Sequence, residues 1–258
     1  MSTVPPFFVA IPARYASTRL PGKPLAPIAG EPMVLQVARR ALAAGAAEVV
    51  VAVDDERVAA ALQAAPVRVV MTRADHICGS DRLAECAATL GWPDAAIIVN
   101  LQGDEPLAPP SGIRAVAGLL ATDDAPMATL ATPIRTVTEM FDPNCVKVVA
   151  TSDGHALYFS RAPVPWARDA FARTREALPT DVTCLRHIGI YAYRAGFLRR
   201  FAQLPPTPAE RAESLEQLRA LEHGFRIGLG LAPEHFPAGV DTPEDLARVD
   251  TIVRNNDA

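Results

Sequence analysis

The sequence has no cysteine pair at metal-binding or redox spacing. Cys78, Cys86, Cys145 and Cys184 are scattered along 258 residues with no CxxC or CxxH arrangement, which argues against a zinc module and a disulfide framework and fits a reducing cytoplasm. No apolar run approaches the roughly eighteen residues of a membrane span, and MSTVPPFFVAIPAR carries no positive region ahead of its short apolar stretch, so neither membrane insertion nor an export signal is expected. There is no charge excess of the kind a nucleic-acid or anionic-membrane binder needs: 25 basic against 29 acidic side chains give a net charge of −4, so any anion site is local. GxGxxG and GxxxxGK[ST] are both missing, which removes the dinucleotide fingerprint and the Walker loop. Internal repeats and low-complexity linkers are missing too; the proline-rich PPTP and APVPW pieces read as rigid loops.

What is present is an alternation of strand-like and helix-like segments in a chain that is 50% hydrophobic. Strands are expected at 7–11, 48–53, 67–71 and 95–101, and helices at 31–44, 55–65, 79–90 and 110–121. Continuous apolar strands separated by helices imply a parallel sheet covered on both faces. After 121 the rhythm changes: strands at 127–134, 146–150, 156–159 and 188–193 have less helix between them, which predicts an insertion that mixes antiparallel pairing into the sheet. Helices at 209–223 and 243–253 flank a last strand at 225–231.

Three stretches carry chemistry. IPARYASTRLPGKPL follows the first strand and holds Arg14, Arg19 and Lys23 without a carboxylate among them. Its place beyond the carboxyl end of a parallel strand suits a polyphosphate site; a solvated basic loop is the other reading. IIVNLQGDEPL ends a hydrophobic strand and delivers Asp104 and Glu105 to the same sheet edge, either as a plain turn or as ligands of a divalent cation that lets carboxylates lie beside phosphate. In VDTPEDLARV, Thr242 suits an N-cap, Pro243 the first helical residue and Asp245 a capping box. Asp241 is left over, either for a metal or for the helix dipole.

Taken with TRADH, GSDRLAE, NCVKVV, ALYFSRAPVPW, RHIGIYAYR and ESLEQLR, these motifs resemble, in order and over nearly the whole chain, the 3-deoxy-manno-octulosonate (Kdo) cytidylyltransferases. The resemblance implies a three-layer α/β/α nucleotide-diphospho-sugar transferase fold with a mainly parallel mixed sheet. It also implies one domain over 1–258 with a small antiparallel insertion, roughly 134–205, for sugar binding and dimerisation. The implied reaction joins CTP and Kdo to give CMP-Kdo and pyrophosphate with Mg²⁺, in a cytoplasmic homodimer serving lipopolysaccharide synthesis; a related acid such as 8-amino-Kdo or sialic acid is the alternative substrate, and a non-catalytic nucleotide binder the alternative class.

By the family's pattern Arg14, Arg19 and Lys23 hold the triphosphate, Arg19 and Lys23 nearest the leaving pyrophosphate, and Asp104 and Asp241 hold the metal. Pro12, Ala13, Arg73 and Ser80 are implied for the nucleotide. Gln102, Arg161, His187, Gly189, Tyr191, Glu213, Glu216 and Gln217 are implied for the sugar. No contact with nucleic acid is expected.

Overall fold

The computed structural model describes residues 4–256 apart from Thr18 and Ile77. Those two fall inside the basic-loop and TRADHICGSDR motifs, and they and the first residues of the N-terminal segment lie outside the described residues.

The first half of the chain is a repeated strand-then-helix unit. It comprises β1 (Phe7–Ala13), a small ribbon of β2 (Pro27–Ile28) and β3 (Glu31–Pro32), α1 (Met33–Ala43), β4 (Glu48–Val53), α2 (Glu56–Ala61) and β5 (Arg68–Met71). It continues with α3 (Gly79–Thr89), β6 (Ile97–Asn100), α4 (Pro110–Thr122) and β7 (Met127–Pro133). Short elements then interrupt the rhythm: α5 (Val137–Phe141), β8 (Lys147–Ala150), β9 (Ala156–Ser160) and α6 (Arg168–Arg173). The chain closes with β10 (Leu185–Arg194), α7 (Ala195–Phe201), α8 (Pro208–Glu213), α9 (Gln217–Glu222), β11 (Ile227–Leu231) and α10 (Pro243–Asn256).

The main sheet runs β11-β7-β10-β6-β1-β4-β5, with β8 and β9 attached beyond the start of β10. Pairing is parallel except for β10, which is antiparallel to β6, β7 and β8, and for β9 on β8. Both faces are buried, as continuous apolar strands require. Along β4, Val49, Val51 and Val53 join one core cluster with Met33, Val37 and Ile113, while Val50 and Ala52 join the other with Leu83, Ala87 and Leu198. The architecture is therefore helix layer, sheet, helix layer. A third, smaller cluster of Ile134, Met140, Phe171 and Cys184 lies under the interrupting segments.

Two consequences place the site. β1 pairs in parallel with β4 on one side and β6 on the other, so the loops leaving these three strands open on one crevice. Because β10 runs against β6, with Tyr191 opposite Asn100, residues early in β10 are brought to the carboxyl end of β6.

The expected single helix over 209–223 is two helices. Ser214 takes a left-handed conformation (φ 52) at the end of α8, where the Leu215 amide donates to the Glu210 carbonyl. The break lets Glu213 and Glu216 face different neighbours, which a continuous helix would not allow. The expected helices 31–44 and 55–65 are shorter than the periodicity implies, since Glu31 and Pro32 pair as β3 and Leu62 already caps α2. The helical segments α5, α6 and α7 are not expected from the sequence.

Candidate active site

Lys23 follows Gly22, whose left-handed backbone (φ 68) turns the chain into a 3₁₀ turn, Lys23–Leu25. The Lys23 ammonium donates to Asp104 Oδ2 at 2.6 Å and to Asp241 Oδ1 at 3.0 Å. Arg19 reaches the same Asp241 oxygen at 3.1 Å. The basic loop and both acidic motifs, far apart in sequence, thus form one cluster. Lys23 is 14% exposed, Asp104 33%, Asp241 51% and Arg19 65%, so the inner pair is shielded and the outer one wet.

The backbone enforces this meeting. After β6 the chain turns at Gly103, where a Cβ would lie 2.6 Å from the Pro12 carbonyl oxygen, a contact only glycine avoids. The Asp104 carbonyl then accepts the Val240 amide at 2.9 Å, which lays the 240–241 segment beside it. Asp245 accepts from the Asp241 and Thr242 amides, both at 3.2 Å, and its own amide donates to Thr242 Oγ1 at 3.2 Å. This is the capping box expected from the sequence, and it leaves the Asp241 carboxylate to the cluster. Asp245→Ala is expected to cost about 1 kcal/mol of stability with kcat/KM little changed, read from denaturant melts beside initial rates.

Two carboxylates that share one ammonium are close enough to share another cation, and their hard oxygens suit Mg²⁺. A second grouping among the described residues, Cys78, Asp81 and Glu216, suits a metal less well. Burial pushes the Cys78 thiol up to about 12, and a protonated thiol is a poor ligand. Glu105 turns the other way from Asp104, towards Gly239, and burial beside Asp104 pushes its carboxyl up to about 8.

Around the cluster lies a cavity of about 280 Å³, walled by Pro12, Ala13, Arg14, Gln102 and Arg82 among others. Two residues expected at the nucleotide are not in this wall. Arg73 is chelated by Asp75 (2.9 and 3.2 Å) and faces an outer groove. Ser80 is buried and donates to Glu216. Their segment instead contributes His76, Cys78, Gly79 and Arg82 to the wall.

The residues expected at the sugar gather around β10 and the α8–α9 break. Gln102 lies in the cavity wall. His187 packs edge-on against Phe159 and beside Tyr191, and burial pushes its imidazole down to about 3, so it is neutral. Thr129 donates its hydroxyl to the Ile190 carbonyl at 2.7 Å, so the 3.1 Å contact with His187 is Nε2–H donating to Thr129 Oγ1, which leaves Nδ1 an acceptor. A neutral ring can meet a sugar hydroxyl but not serve as counter-ion to a carboxylate. Gly189 lies at the β10 irregularity with open space on its side-chain position.

Glu213 accepts from Ser160 Oγ (2.6 Å) and the Arg161 amide (2.8 Å), while Arg161 Nε donates to the Glu213 carbonyl (2.6 Å) and its Nη1 to the Pro143 carbonyl (3.0 Å). Glu213 therefore holds the Arg161 loop instead of offering a free carboxylate. The Tyr191 hydroxyl and Gln217 Nε2 are buried without a hydrogen-bond partner among the described residues. Buried polar groups left unpaired are costly.

The sequence profile described as Cytidylyltransferase matches residues 8–227. A 3-deoxy-manno-octulosonate cytidylyltransferase of Xanthomonas euvesicatoria pv. vesicatoria (strain 85-10) is 60% identical over 96% of both chains. The chain belongs to the 3-deoxy-manno-octulosonate cytidylyltransferases. A relative of that name from Stenotrophomonas maltophilia (strain K279a) is 59% identical over 96% of this chain and 97% of its own. A solved structure of CMP:2-keto-3-deoxy-manno-octonic acid synthetase complexed with CTP superposes with a TM-score of 0.87 at 42% identity, covering 97% of this chain and 99% of that one. The 4-diphosphocytidyl-2C-methyl-D-erythritol synthase fold is shared at a TM-score of 0.60 and 16% identity.

In this cytidylyltransferase, reading by motif passes over Arg82 and Asp54. Arg82 sits in GSDRLAE between Asp81 and Leu83, where nothing local signals that its side chain points inward. Asp54, one residue beyond β4 in VDDER, gives no signal of its own.

Proposed function

We propose that the chain transfers the cytidylyl group of CTP to Kdo, giving CMP-Kdo and pyrophosphate, with Mg²⁺ held by Asp104 and Asp241. The observation that carries this reading is the convergence of Lys23, Arg19, Asp104 and Asp241 at the edge of one cavity, in a chain of this family. The 2-hydroxyl oxygen of Kdo attacks the α-phosphorus, the bond to the bridging oxygen of pyrophosphate breaks, and the hydroxyl loses its proton. A divalent cation at the carboxylate pair would polarise the phosphate and lower the pKa of the attacking hydroxyl.

The chain's own residues do the rest. Arg14 and Arg19 draw the triphosphate over the cavity, and Lys23 leaves its carboxylates to meet the charge that grows on the leaving pyrophosphate. Gln102, the neutral His187, Tyr191 and Gln217 are assigned to the sugar hydroxyls, with Arg161 opposite the sugar carboxylate. Glu213 and Glu216 orient that wall. No covalent enzyme intermediate is needed, because positioning and charge neutralisation supply the acceleration.

The enzyme is assigned to the cytoplasm, which its free cysteines support. It is assigned a homodimer through the interrupting segments, where Leu157, Tyr158 and Trp166 expose apolar surface. Competition between Kdo, 8-amino-Kdo and sialic acid at equal concentration tests the substrate. Kdo is expected to be consumed first; faster use of either rival would assign the chain to that acid.

A further inference from the structure

The deepest charged group at the cavity is one to which the reaction gives no part. Arg82, on the first turns of α3, is 2% exposed yet lines the cavity that the basic loop covers. Its Nη2 donates to Asp54 Oδ2 at 2.9 Å, with the two side chains 2% and 6% exposed, and its Nη1 donates to Thr72 Oγ1 at 2.5 Å. Thr72 in turn donates to the Val53 carbonyl at 2.9 Å. The other oxygen of Asp54 accepts the Tyr15 amide at 2.9 Å.

One guanidinium therefore ties the carboxyl ends of three neighbouring parallel strands: β5 through Thr72, β4 through Val53 and Asp54, and β1 through Tyr15. Tyr15 is the second residue after β1, between Ala13 and the cations Arg19 and Lys23. Its ring lies under the Arg57 guanidinium at 3.7 Å, its hydroxyl accepts from Arg57 at 3.1 Å, and the same hydroxyl is packed against Gly22. The direction in which the basic loop leaves the sheet is thus set at Tyr15, and the amide of Tyr15 is held by Asp54.

A buried ion pair is a poor source of stability, because desolvation offsets most of its attraction, and such pairs are often replaceable by apolar residues. What this pair provides is geometry. We infer that Arg82 and Asp54 are positioning residues for nucleotide binding: a strut that joins the α3 wall of the cavity to the triphosphate loop and holds Arg14, Arg19 and Lys23 in place before CTP arrives. A loop ordered in advance does not have to be ordered by the ligand, so loss of the strut weakens CTP binding and leaves the β10 side of the site alone. The inference rests on the cytidylyltransferase reading for the identity of the nucleotide.

The test uses the full chain, as Asp54→Asn and as the apolar double variant Asp54→Leu with Arg82→Met. In both, KM for CTP and the CTP dissociation constant measured by calorimetry with Mg²⁺ are expected to rise about tenfold or more. KM for Kdo stays within about twofold, and the double variant melts near the wild-type temperature. The strut is overturned if the folded double variant binds CTP as tightly as wild type, or if KM rises for CTP and Kdo alike. A double variant that does not fold would show the pair to be structural and overturn it as well. The calorimetry needs no Kdo, so a wild-type chain that binds CTP but turns over no keto acid would sink the functional reading while leaving this comparison intact.

Discussion

Asp104→Asn and Asp241→Asn each lower kcat/KM for CTP by about 10²-fold or more, the loss expected when a charge that acts on the transition state is removed. Their effects on stability differ. Lys23 is shielded and its shortest bond is to Asp104, so Asp104→Asn leaves a partly buried ammonium with a weaker partner and costs about 1–3 kcal/mol. Asp241 is half exposed and is met by Arg19 from the solvent side, so its neutralisation costs about 1 kcal/mol or less. Initial rates and denaturant melts on both variants separate the two quantities. A larger destabilisation for Asp241→Asn than for Asp104→Asn would reverse the inner and outer roles, and a wild-type rate for Asp241→Asn would remove that residue from the metal pair.

Lys23→Met loses rate and gains metal. The lysine has one charge and two claimants: the carboxylates it bridges at 2.6 and 3.0 Å, and the pyrophosphate it is proposed to meet. With the methionine in place the leaving group loses a cation, and kcat falls about 10²–10³-fold, as when one preorganised donor is removed from a site of developing charge. The carboxylate pair meanwhile loses the cation that competes for its oxygens. Mn²⁺ alone, followed by electron paramagnetic resonance with no nucleotide present, is therefore expected to bind the variant more tightly than the wild type. In the wild type CTP and metal should bind cooperatively, since the triphosphate gives the displaced ammonium a new partner. Weaker Mn²⁺ binding to the variant, or an unchanged kcat, would contradict this exchange.

The sheet and the cluster were legible because each announces itself locally. Apolar strands such as AAIIVNL alternate with helical stripes, and the residues proposed to meet a polyphosphate and its cation lie in loops that follow strand ends, where topology brings them together. Thr242 and Asp245 are three apart before an apolar helix, so the cap could be read without a structure. The helix break at Ser214 could not, because ESLEQLR has helical composition throughout and the left-handed turn is imposed by what Glu213 and Glu216 bond on either side.

Arg73 was expected at the nucleotide from its motif, but a carboxylate two residues away captures it. Arg82, nine residues on, takes the cavity wall. Strand pairing decides such outcomes, and the partner of a buried arginine is a long-range fact that no local pattern carries.

Pyrophosphate release by the purified protein tests the central claim most directly, with CTP and Kdo, with Mg²⁺ or with chelator, and with UTP in place of CTP. The account predicts release that requires Kdo and the metal together and is far faster with CTP. Release that is absent with CTP, Kdo and Mg²⁺ all present, from a protein that still binds CTP, would contradict it.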